Sequence, residues 1–190
     1  MVEVLIPHNT LKPKSRLSEI LSEEERREFA ELMLQDVLTA VKGVGSRFRV
    51  LVERGELNEI LKESIRDQET LILMSDLPLV SEDILRGILS NPSEVVIAPG
   101  RRGGTNAILL RRAFDFEFQF EGASFIRHIL EAMRKNMSVS IYDSFYLSCD
   151  IDYPSDLIDL WIHGRGKSAE YLRERFILDE RAMTLRRIPR

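Results

Sequence analysis

Short, continuous apolar runs alternate along the chain with segments whose apolar residues recur every three or four positions. The runs VEVLI, RFRVLV and TLILMS are typical of buried strands, and the second kind of segment is typical of helices packed on one face. The longest helical segment begins at a capping box formed by Ser22 and Glu25 and ends at Gly43. The pattern predicts further helices over residues 57–65, 81–89, 124–135, 154–163 and 168–176, and further strands at SEVVIAP, TNAILLR, SVSIY and YLSC.

This order of elements predicts an α/β fold. Strands that alternate with helices of about ten residues form βαβ units, so we expect a mostly parallel central sheet flanked by helices. The 190 residues fit one domain at residues 1–178, followed by a basic tail at 179–190 that can close into a hairpin. The crossover after RFRVLV is shorter than expected, by roughly the dozen residues of a parallel connection. Either the pocket for a bound base is trimmed, or a loop is absent from the sequence.

The amino-acid composition narrows the expected cellular location and the classes of partner that the protein can bind. The chain is 44% hydrophobic and 31% charged, which is ordinary for a soluble globular protein. The single cysteine, Cys149, cannot form an internal disulfide, and no stretch approaches the ~20 apolar residues of a membrane span, so we expect a cytoplasmic protein that contacts no membrane. The net charge of −4 argues against a nucleic-acid binder. Residues 164–190 are basic enough to contact RNA, but such a run is more often a solvated face.

Three aspartates follow predicted strands and form the first candidate site. Asp76 ends the third strand, at the edge where parallel sheets bind ligands, although an aspartate before Pro78 also suits a simple turn. Asp150 and Asp152 alternate in CDIDYPSDL, so an extended segment points both carboxylates to one side. Asp152 also stands at the N-cap of a predicted helix. Carboxylates are hard ligands that suit Mg²⁺, and these three are the predicted metal ligands.

A basic loop follows the first predicted strand. The segment PHNTLKPKSRLS carries Lys12, Lys14, Ser15 and Arg16. Loops at this position hold phosphates through backbone amides and cationic side chains, although an exposed basic loop without a ligand is the more common finding. The Walker pattern of phosphate-binding loops is absent from the sequence.

Two glycine-bearing segments, GRRGGTN and FEGASFIRH, form a third group. Glycines at 100, 103 and 104 allow the backbone to approach a ligand closely, and Thr105 adds a hydroxyl. Gly122 and Ser124 open a predicted helix, whose first amides attract a phosphate or carboxylate. A plain N-cap is the alternative for Ser124. For His128, we expect a buried role with its hydrogen bonds satisfied.

Taken in order, KSRLS, SDLPL, GGTN, GASFIRH and DIDYPSDL resemble the motifs of one family, the 2-phospho-L-lactate guanylyltransferases of coenzyme F(420) biosynthesis. The resemblance extends from the first strand to about residue 178. It implies the nucleotide-diphospho-sugar transferase fold, which is GT-A-like and Rossmann-like. It also implies Mg²⁺-dependent transfer of GMP from GTP to 2-phospho-L-lactate, or to phosphoenolpyruvate, with release of pyrophosphate. Asn9 stands where relatives usually carry a lysine.

The motifs and the resemblance together imply a role for each candidate residue. Asp76, Asp150 and Asp152 hold the metal and, with Lys14, form the catalytic set; Lys14, Ser15 and Arg16 bind the triphosphate; Leu57 and Asn58 contact the guanine; Thr105, Gly122 and Ser124 bind the small acid.

Two alternative functions remain open. A sugar-1-phosphate nucleotidyltransferase shares the fold and metal, but it requires a glycine-rich G-x-G-T-R loop that this N-terminus lacks. A non-catalytic nucleotide- or RNA-binding module is disfavoured by the three aspartates. The tail segment RFILDERAMTLRRI can also pair across a homodimer.

Overall fold

The computed structural model describes residues 2–11, 13–52 and 55–189. Its strands are β1 (Glu3–His8), β2 (Arg47–Val52), β3 (Thr70–Leu73), β4 (Val95–Pro99), β5 (Thr105–Leu110), β6 (Val139–Ile141), β7 (Phe176–Asp179) and β8 (Thr184–Arg187). Its α-helices are α1 (Glu23–Gly43), α2 (Leu57–Ser64), α3 (Glu82–Ser90), α4 (Ser124–Arg134), α5 (Phe145–Ser148), α6 (Asp156–His163) and α7 (Lys167–Arg175). Short 3-10 turns occur at Ser15–Leu17 and Ala113–Asp115.

The larger sheet has the strand order β2-β1-β3-β5-β4-β6. β1 runs parallel to β2 and β3, and β4 runs parallel to β6, whereas β5 is antiparallel to both of its neighbours. The predicted α/β fold with a mostly parallel sheet is therefore confirmed. Because β5 runs in reverse, the turn between β4 and β5 lies at the same edge of the sheet as the carboxyl ends of β1 and β3.

Helices cover both faces of this sheet. α1 buries one stripe of residues spaced four apart, which are Phe29, Met33, Val37 and Val41. Full burial of each such side chain contributes roughly 1.5–3 kcal/mol to folding. On the opposite face, Leu61 of α2 and Ala132 of α4 join the core.

Two predicted helix starts, those of α1 and α3, are present. The hydroxyl of Ser22 accepts a hydrogen bond from the backbone N–H of Glu25, and the Glu25 carboxylate accepts one from the N–H of Ser22. This reciprocal pair is the predicted capping box of α1. Ser81 caps α3 in the same manner, by accepting from the N–H of Ile84.

Two local predictions are wrong. The segment YLSC is helix α5 and not a strand, because the Ser144 hydroxyl accepts a hydrogen bond from the α5 backbone and starts a helical turn directly after β6. Asp152 does not cap α6. Ser155 stands at the N-cap position, and the buried carboxylate of Asp156 accepts hydrogen bonds from the backbone N–H groups of Asp152 and Tyr153.

The crossover and the tail complete the topology. α2 lies between β2 and β3, and β1 pairs in parallel with both strands. Glu53 and Arg54, where a loop is predicted to be absent, lie outside the described residues, so that alternative stays a prediction. The predicted hairpin is present, since β7 pairs with β8, but its first strand begins at the buried Phe176 instead of residue 179. Among the described helices, none combines the length and the apolar character needed to cross a membrane.

Candidate active site

Four loops meet at the carboxyl edge of the large sheet. They follow β1, β3 and β6, and the fourth is the turn between β4 and β5. Open α/β sheets bind their ligands at this edge. The loops bring together five of the predicted site residues, which are Lys14, Arg16, Asp76, Asp150 and Asp152.

Lys14 lies between two of the aspartates. Its Nζ is 2.6 Å from Oδ2 of Asp76 and 2.9 Å from Oδ1 of Asp152, and its side chain is only 10% exposed. Burial alone works to lower the pKa of Lys14, but the charges of Asp76 and Asp152 outweigh it and hold the pKa above its ordinary value. Lys14 also has a left-handed backbone, with φ at 53°, which is uncommon for a residue with a side chain. The loop is therefore shaped to direct this ammonium into the cluster.

Asp150 is the third carboxylate of the cluster. Burial raises its pKa above the ordinary value, and the nearby charges of Asp76 and Asp152 add to that rise, against a hydrogen bond from Asn106. Nδ2 of Asn106 donates to Oδ1 of Asp150 and to the carbonyl oxygen of Leu147. Asn106 thus fixes Asp150 to the β4–β5 hairpin, a role that the motif GGTN alone did not reveal.

Two arginines border the cluster. Nη1 of Arg16 donates to Oδ2 of Asp152 at 2.8 Å, and Nη2 of Arg102 donates to Oδ1 of Asp156 at 2.7 Å. Their guanidinium carbons lie 5.0 and 4.3 Å from the centre of the Tyr153 ring. One aromatic ring therefore contacts cations from two separate loops, an arrangement that stabilises both.

A cavity of about 210 Å³ opens beside Lys14 and Asp76. It is lined by Pro7, His8, Asn9, Pro13, Lys14, Ala30, Met33, Met74, Ser75, Asp76 and Asp152. A neighbouring cavity of about 240 Å³ adds Thr10, Arg27, Glu28 and Glu31. Together they form a space between the loop after β1 and helix α1.

His8 belongs to this space and was missed by sequence reasoning. It is 4% exposed, its Nδ1 is 3.2 Å from Oγ of Ser75, and its Nε2 is 3.0 Å from Oε1 of Glu31. A histidine that ends a strand carries no spacing signal of its own. Its partners come from the loop after β3 and from α1, so only the fold identifies it.

The predicted acid-binding hydroxyls are turned inward. Oγ1 of Thr105 is 2.9 Å from Nδ1 of His128, and Oγ of Ser124 donates to Oγ1 of Thr105 at 3.3 Å. Nε2 of His128 accepts from the backbone N–H of Gln119, and burial lowers the pKa of His128 to about 4. His128 is thus a buried, hydrogen-bonded residue as predicted. Ala123, and not Ser124, is the N-cap of α4, and Gly122 has a left-handed backbone that suits glycine.

The remaining candidates lie elsewhere along this edge. Ser15 is exposed at the start of a 3-10 turn. Leu57 and Asn58 begin α2 and line neither of the two cavities; Oδ1 of Asn58 accepts a hydrogen bond from the backbone N–H of Phe120. Lys12 lies outside the described residues. The structure therefore places the predicted guanine contacts apart from the space beside Lys14.

The aspartates allow a test of whether the site suits a metal ion. Within residues 2–11, 13–52 and 55–189, no three His, Cys, Asp or Glu side chains are gathered as ligands of one ion. Mg²⁺, however, is usually bound by one or two carboxylates together with substrate phosphates, and not by a cage of protein ligands. Burial and the charges of Asp76 and Asp152 raise the pKa of Asp150, so Asp150 together with one of those carboxylates fits that mode of binding.

Comparison with known proteins points to one group. The family model described as guanylyl transferase CofC like matches residues 2–184. The 2-phospho-L-lactate guanylyltransferase of Archaeoglobus fulgidus is 42% identical over 186 residues, which cover 91% of this chain and 90% of that protein. The protein of the same name from Methanocella arvoryzae is 37% identical over 194 residues, covering 94% and 89%.

A solved structure has the same architecture. It is a protein from Desulfovibrio desulfuricans G20 described as a proposed nucleotide-diphospho-sugar transferase, and it matches with a TM-score of 0.76 and 16% identity, covering 91% of this chain and 94% of that one. At this identity the likeness concerns the fold alone. The predicted nucleotide-diphospho-sugar transferase fold is confirmed.

Proposed function

Because this chain belongs to the CofC-like family of guanylyl transferases, we propose that it transfers GMP from GTP to 2-phospho-L-lactate, in coenzyme F(420) biosynthesis. Phosphoenolpyruvate is the second acceptor that the same chemistry accommodates. The observation that carries the proposal is the cluster of Lys14 with Asp76, Asp150 and Asp152 at the carboxyl edge of the sheet.

The reaction joins two anions. An oxygen of the acceptor's phosphate attacks the α-phosphorus of GTP, the bond from that phosphorus to the α,β-bridging oxygen breaks, and pyrophosphate leaves with the electron pair. The attacking group is already an anion, so no protein base has to remove a proton. The task of the protein is to align the two substrates and to neutralise their charge.

The loop after β1 is our candidate for the triphosphate. Lys14 is a buried cation that lines the cavity, and Ser15 and Arg16 follow it on the exposed side of the same turn. Phosphate oxygens would replace one of the carboxylates that now bind Lys14. The negative charges of GTP are thereby compensated at the end where pyrophosphate departs.

Leu57 and Asn58 remain our candidates for the guanine. Since Oδ1 of Asn58 accepts from Phe120, its amide nitrogen is the group that can donate to guanine O6. We expect GTP to raise the melting temperature more than ATP does. Equal stabilisation by both nucleotides contradicts this assignment.

For the acid, we propose the start of α4. Gly122 and the first amides of that helix offer hydrogen-bond donors at the positive end of its dipole. The hydroxyls of Thr105 and Ser124 contact each other and His128, so we assign them the support of this loop.

Mg²⁺ is the proposed cofactor, with Asp76, Asp150 and Asp152 as its candidate ligands. When bound, the ion supplies neutralisation of charge on the α-phosphate and on the leaving pyrophosphate. Direct calorimetric titration with Mn²⁺ in the presence of GTP tests this assignment. Turnover that persists undiminished in EDTA contradicts it.

An acceptor panel tests the activity itself. GTP and MgCl₂ are supplied with 2-phospho-L-lactate, phosphoenolpyruvate, 3-phosphoglycerate or glucose 1-phosphate, and pyrophosphate release is measured. We expect release with the first two acids. Release with glucose 1-phosphate alone assigns the protein to the sugar-1-phosphate nucleotidyltransferases, and silence on every acceptor refutes the proposed function.

We further propose a cytoplasmic homodimer. The hairpin of β7 and β8 exposes Ile177 and Met183 by 54% and 51%, which supports a contact with a second copy through the tail. Light scattering on the purified protein measures its mass. A mass of one chain at micromolar concentration contradicts the dimer, and recovery in a membrane fraction contradicts the location.

A further inference from the structure

We propose that Arg102, in the turn between β4 and β5, binds the anionic group of the acceptor on the side of the cluster opposite the triphosphate loop. This inference rests on the proposed function and assigns it a substrate-binding residue.

Arg102 is held in place by three contacts. Its Nη2 donates to Oδ1 of Asp156, a carboxylate that is 1% exposed, and its Nη1 lies 3.6 Å from Oδ2 of Asp150. Its guanidinium carbon lies 4.3 Å from the centre of the Tyr153 ring. Asp156 is itself fixed by the backbone N–H groups of two neighbouring residues. The guanidinium is therefore pre-positioned, while 41% of the side chain remains exposed.

The strand order separates Arg102 from Lys14. Lys14 follows β1 and Asp76 follows β3, whereas Arg102 lies on the β5 and β4 side of the sheet. In a phosphoryl transfer the attacking and leaving oxygens lie roughly in line, on opposite sides of the phosphorus. If the pyrophosphate departs beside Lys14, the attacking phosphate arrives from the side of Arg102.

The chemistry of the acceptor also requires a cation there. A phosphorylated hydroxy acid carries a phosphate and a carboxylate, and the fork of a guanidinium matches both groups with paired hydrogen bonds. The Thr105 and Ser124 hydroxyls are engaged with each other and with His128. The neighbouring Arg101 is bound to Asp159 and to the buried thiol of Cys149, so it is directed away from the cluster.

The test measures binding without turnover. Calorimetry follows 2-phospho-L-lactate binding to the protein saturated with MgCl₂ and the α,β-methylene analogue of GTP, whose P–C–P link cannot break in the reaction. We expect Arg102→Gln to raise the Kd for phospholactate by roughly 10- to 100-fold, the effect typical of losing a charged hydrogen-bond partner. The Kd for the GTP analogue should change by less than about 2-fold on the same scale. Arg102→Lys, which keeps the charge but loses the fork, should be intermediate.

Two matched arginines serve as controls. Arg86→Gln removes an exposed arginine of α3 that pairs with Glu82, and it should leave both Kd values unchanged. Arg127 lies near Gly122 at the start of α4. If Arg127→Gln weakens phospholactate binding and Arg102→Gln does not, the inference is wrong and the acceptor binds at the helix end without Arg102.

Tyr153 acts through Arg102 and is a positioning residue. Tyr153→Phe retains the ring and should bind phospholactate normally, whereas Tyr153→Leu should raise the Kd for phospholactate. Equal Kd values for the two variants contradict this role.

The outcomes separate the inference from the activity. Phospholactate binding that depends on Arg102, in a protein that releases no pyrophosphate from GTP, refutes the proposed function alone. Wild-type protein that binds no phospholactate, or equal binding by Arg102→Gln protein with an unchanged melting temperature, refutes the inference.

Discussion

Asp76 follows the central strand β3 and contacts the charged side chains of the candidate site. It follows β3 by a short turn, and its carboxylate binds the Lys14 ammonium at 2.6 Å. A brace for the turn and a ligand for a metal ion both require an aspartate here. The two roles respond differently when the charge is removed and the shape is kept.

Replacement of Asp76 by Asn tests these roles. The amide keeps the size of the side chain, and Asp152 remains as a partner for Lys14, so we expect the melting temperature to hold steady or rise as the carboxylate cluster loses one charge. GTP turnover should fall by roughly 10³-fold or more, because several kcal/mol of electrostatic stabilisation are lost. Both quantities are measured on one sample.

Asp143→Asn is the matched control, since Asp143 is an exposed aspartate in the loop after β6. It should leave turnover and melting temperature unchanged. An Asp76→Asn protein that is less stable but nearly fully active would show that Asp76 only braces its turn.

The buried His128 predicts a specific loss of stability in acid. Burial lowers its pKa to about 4 in the folded protein, from about 6.5 in the unfolded chain. The unfolded chain therefore binds more protons between these values, and stability that is fully present above pH 6.5 is lost as the pH falls toward 4. We expect the loss to be on the order of 1–3 kcal/mol.

Urea unfolding of wild type and His128→Gln from pH 4 to 7 measures this effect. The variant should be less stable at pH 7, because it disturbs the bonds to Thr105 and Gln119, but its stability should vary less with pH. His163→Gln, at an exposed histidine, should retain the wild-type slope. An unchanged slope in His128→Gln contradicts the assignment.

Sequence patterns located the residues whose role depends on position along a strand. Asp76 and Lys14 follow strands that the sequence predicted, and the fold brings such positions to one edge. Asp150 reaches the same edge after helix α5, so the predicted strand YLSC located it for the wrong reason. Arg102 and Asn106 were not identified from the sequence, because the partners that they contact in this cluster lie more than 40 residues away.

Helix α7 owes its start to another helix. Its N-cap, Gly166, has no side chain to bond the first amides, and the carboxylate of Asp36 on α1 accepts from the backbone N–H groups of Lys167 and Ser168. A methyl group on Gly166 would lie 2.3 Å from Oδ1 of Asp36. The glycine thus makes room for a cap that comes from elsewhere in the fold.

Asp36→Ala removes this cap and should destabilise the protein by about 1–2 kcal/mol, the usual cost of a lost N-cap. Asp36→Asn should cost less, since its amide oxygen can still accept. Denaturant unfolding measures both variants. Equal stability of Asp36→Ala and wild type contradicts the capping role.

Sequence patterns within a few residues predict some helix starts well and others not at all. The capping box of α1 lies within four residues of sequence and was read directly. The start of α7 depends on Asp36, which lies more than a hundred residues earlier in the sequence. Helix α5 is a single turn, and its apolar run YLSC is typical of a strand.

The C-terminal hairpin returns to the start of the first helix. Arg187 of β8 binds both carboxylate oxygens of Glu25, at 2.7 and 2.9 Å, and the carbonyl oxygen of Ile20. The hydrogen bond from Arg187, aided by that from Ser22, lowers the pKa of Glu25 to about 2. The pair ties the two ends of the chain together.

Arg187→Gln should cost about 0.5–1 kcal/mol at pH 7, as expected for a pair near the surface. The contribution of Glu25 is present above its ordinary pKa of 4.5 and is lost as the pH falls toward about 2. The difference in unfolding free energy between variant and wild type should therefore shrink between pH 4.5 and pH 2. A difference that is constant across this range contradicts the role of the Glu25 charge.

Alternation of strands and helices predicted the architecture of the whole molecule, because each βαβ unit is specified locally. It did not predict the strand order or the reversal of β5. Both depend on which strands pair over long distances, and the apolar run TNAILLR buries equally well in either direction.

The reversal of β5 places a hairpin turn, residues 100–104, at the same edge of the sheet as the loop after β1. On the proposed assignments, the loop after β1 would bind the nucleotide and this turn would contact the acid. A hairpin turn tolerates changes of length and composition without disturbing the strands that it joins. Substitutions in this one turn can therefore change the preference for one acid over another while the loop after β1 stays unchanged. We expect family members that differ in their preferred acceptor to differ most in this turn.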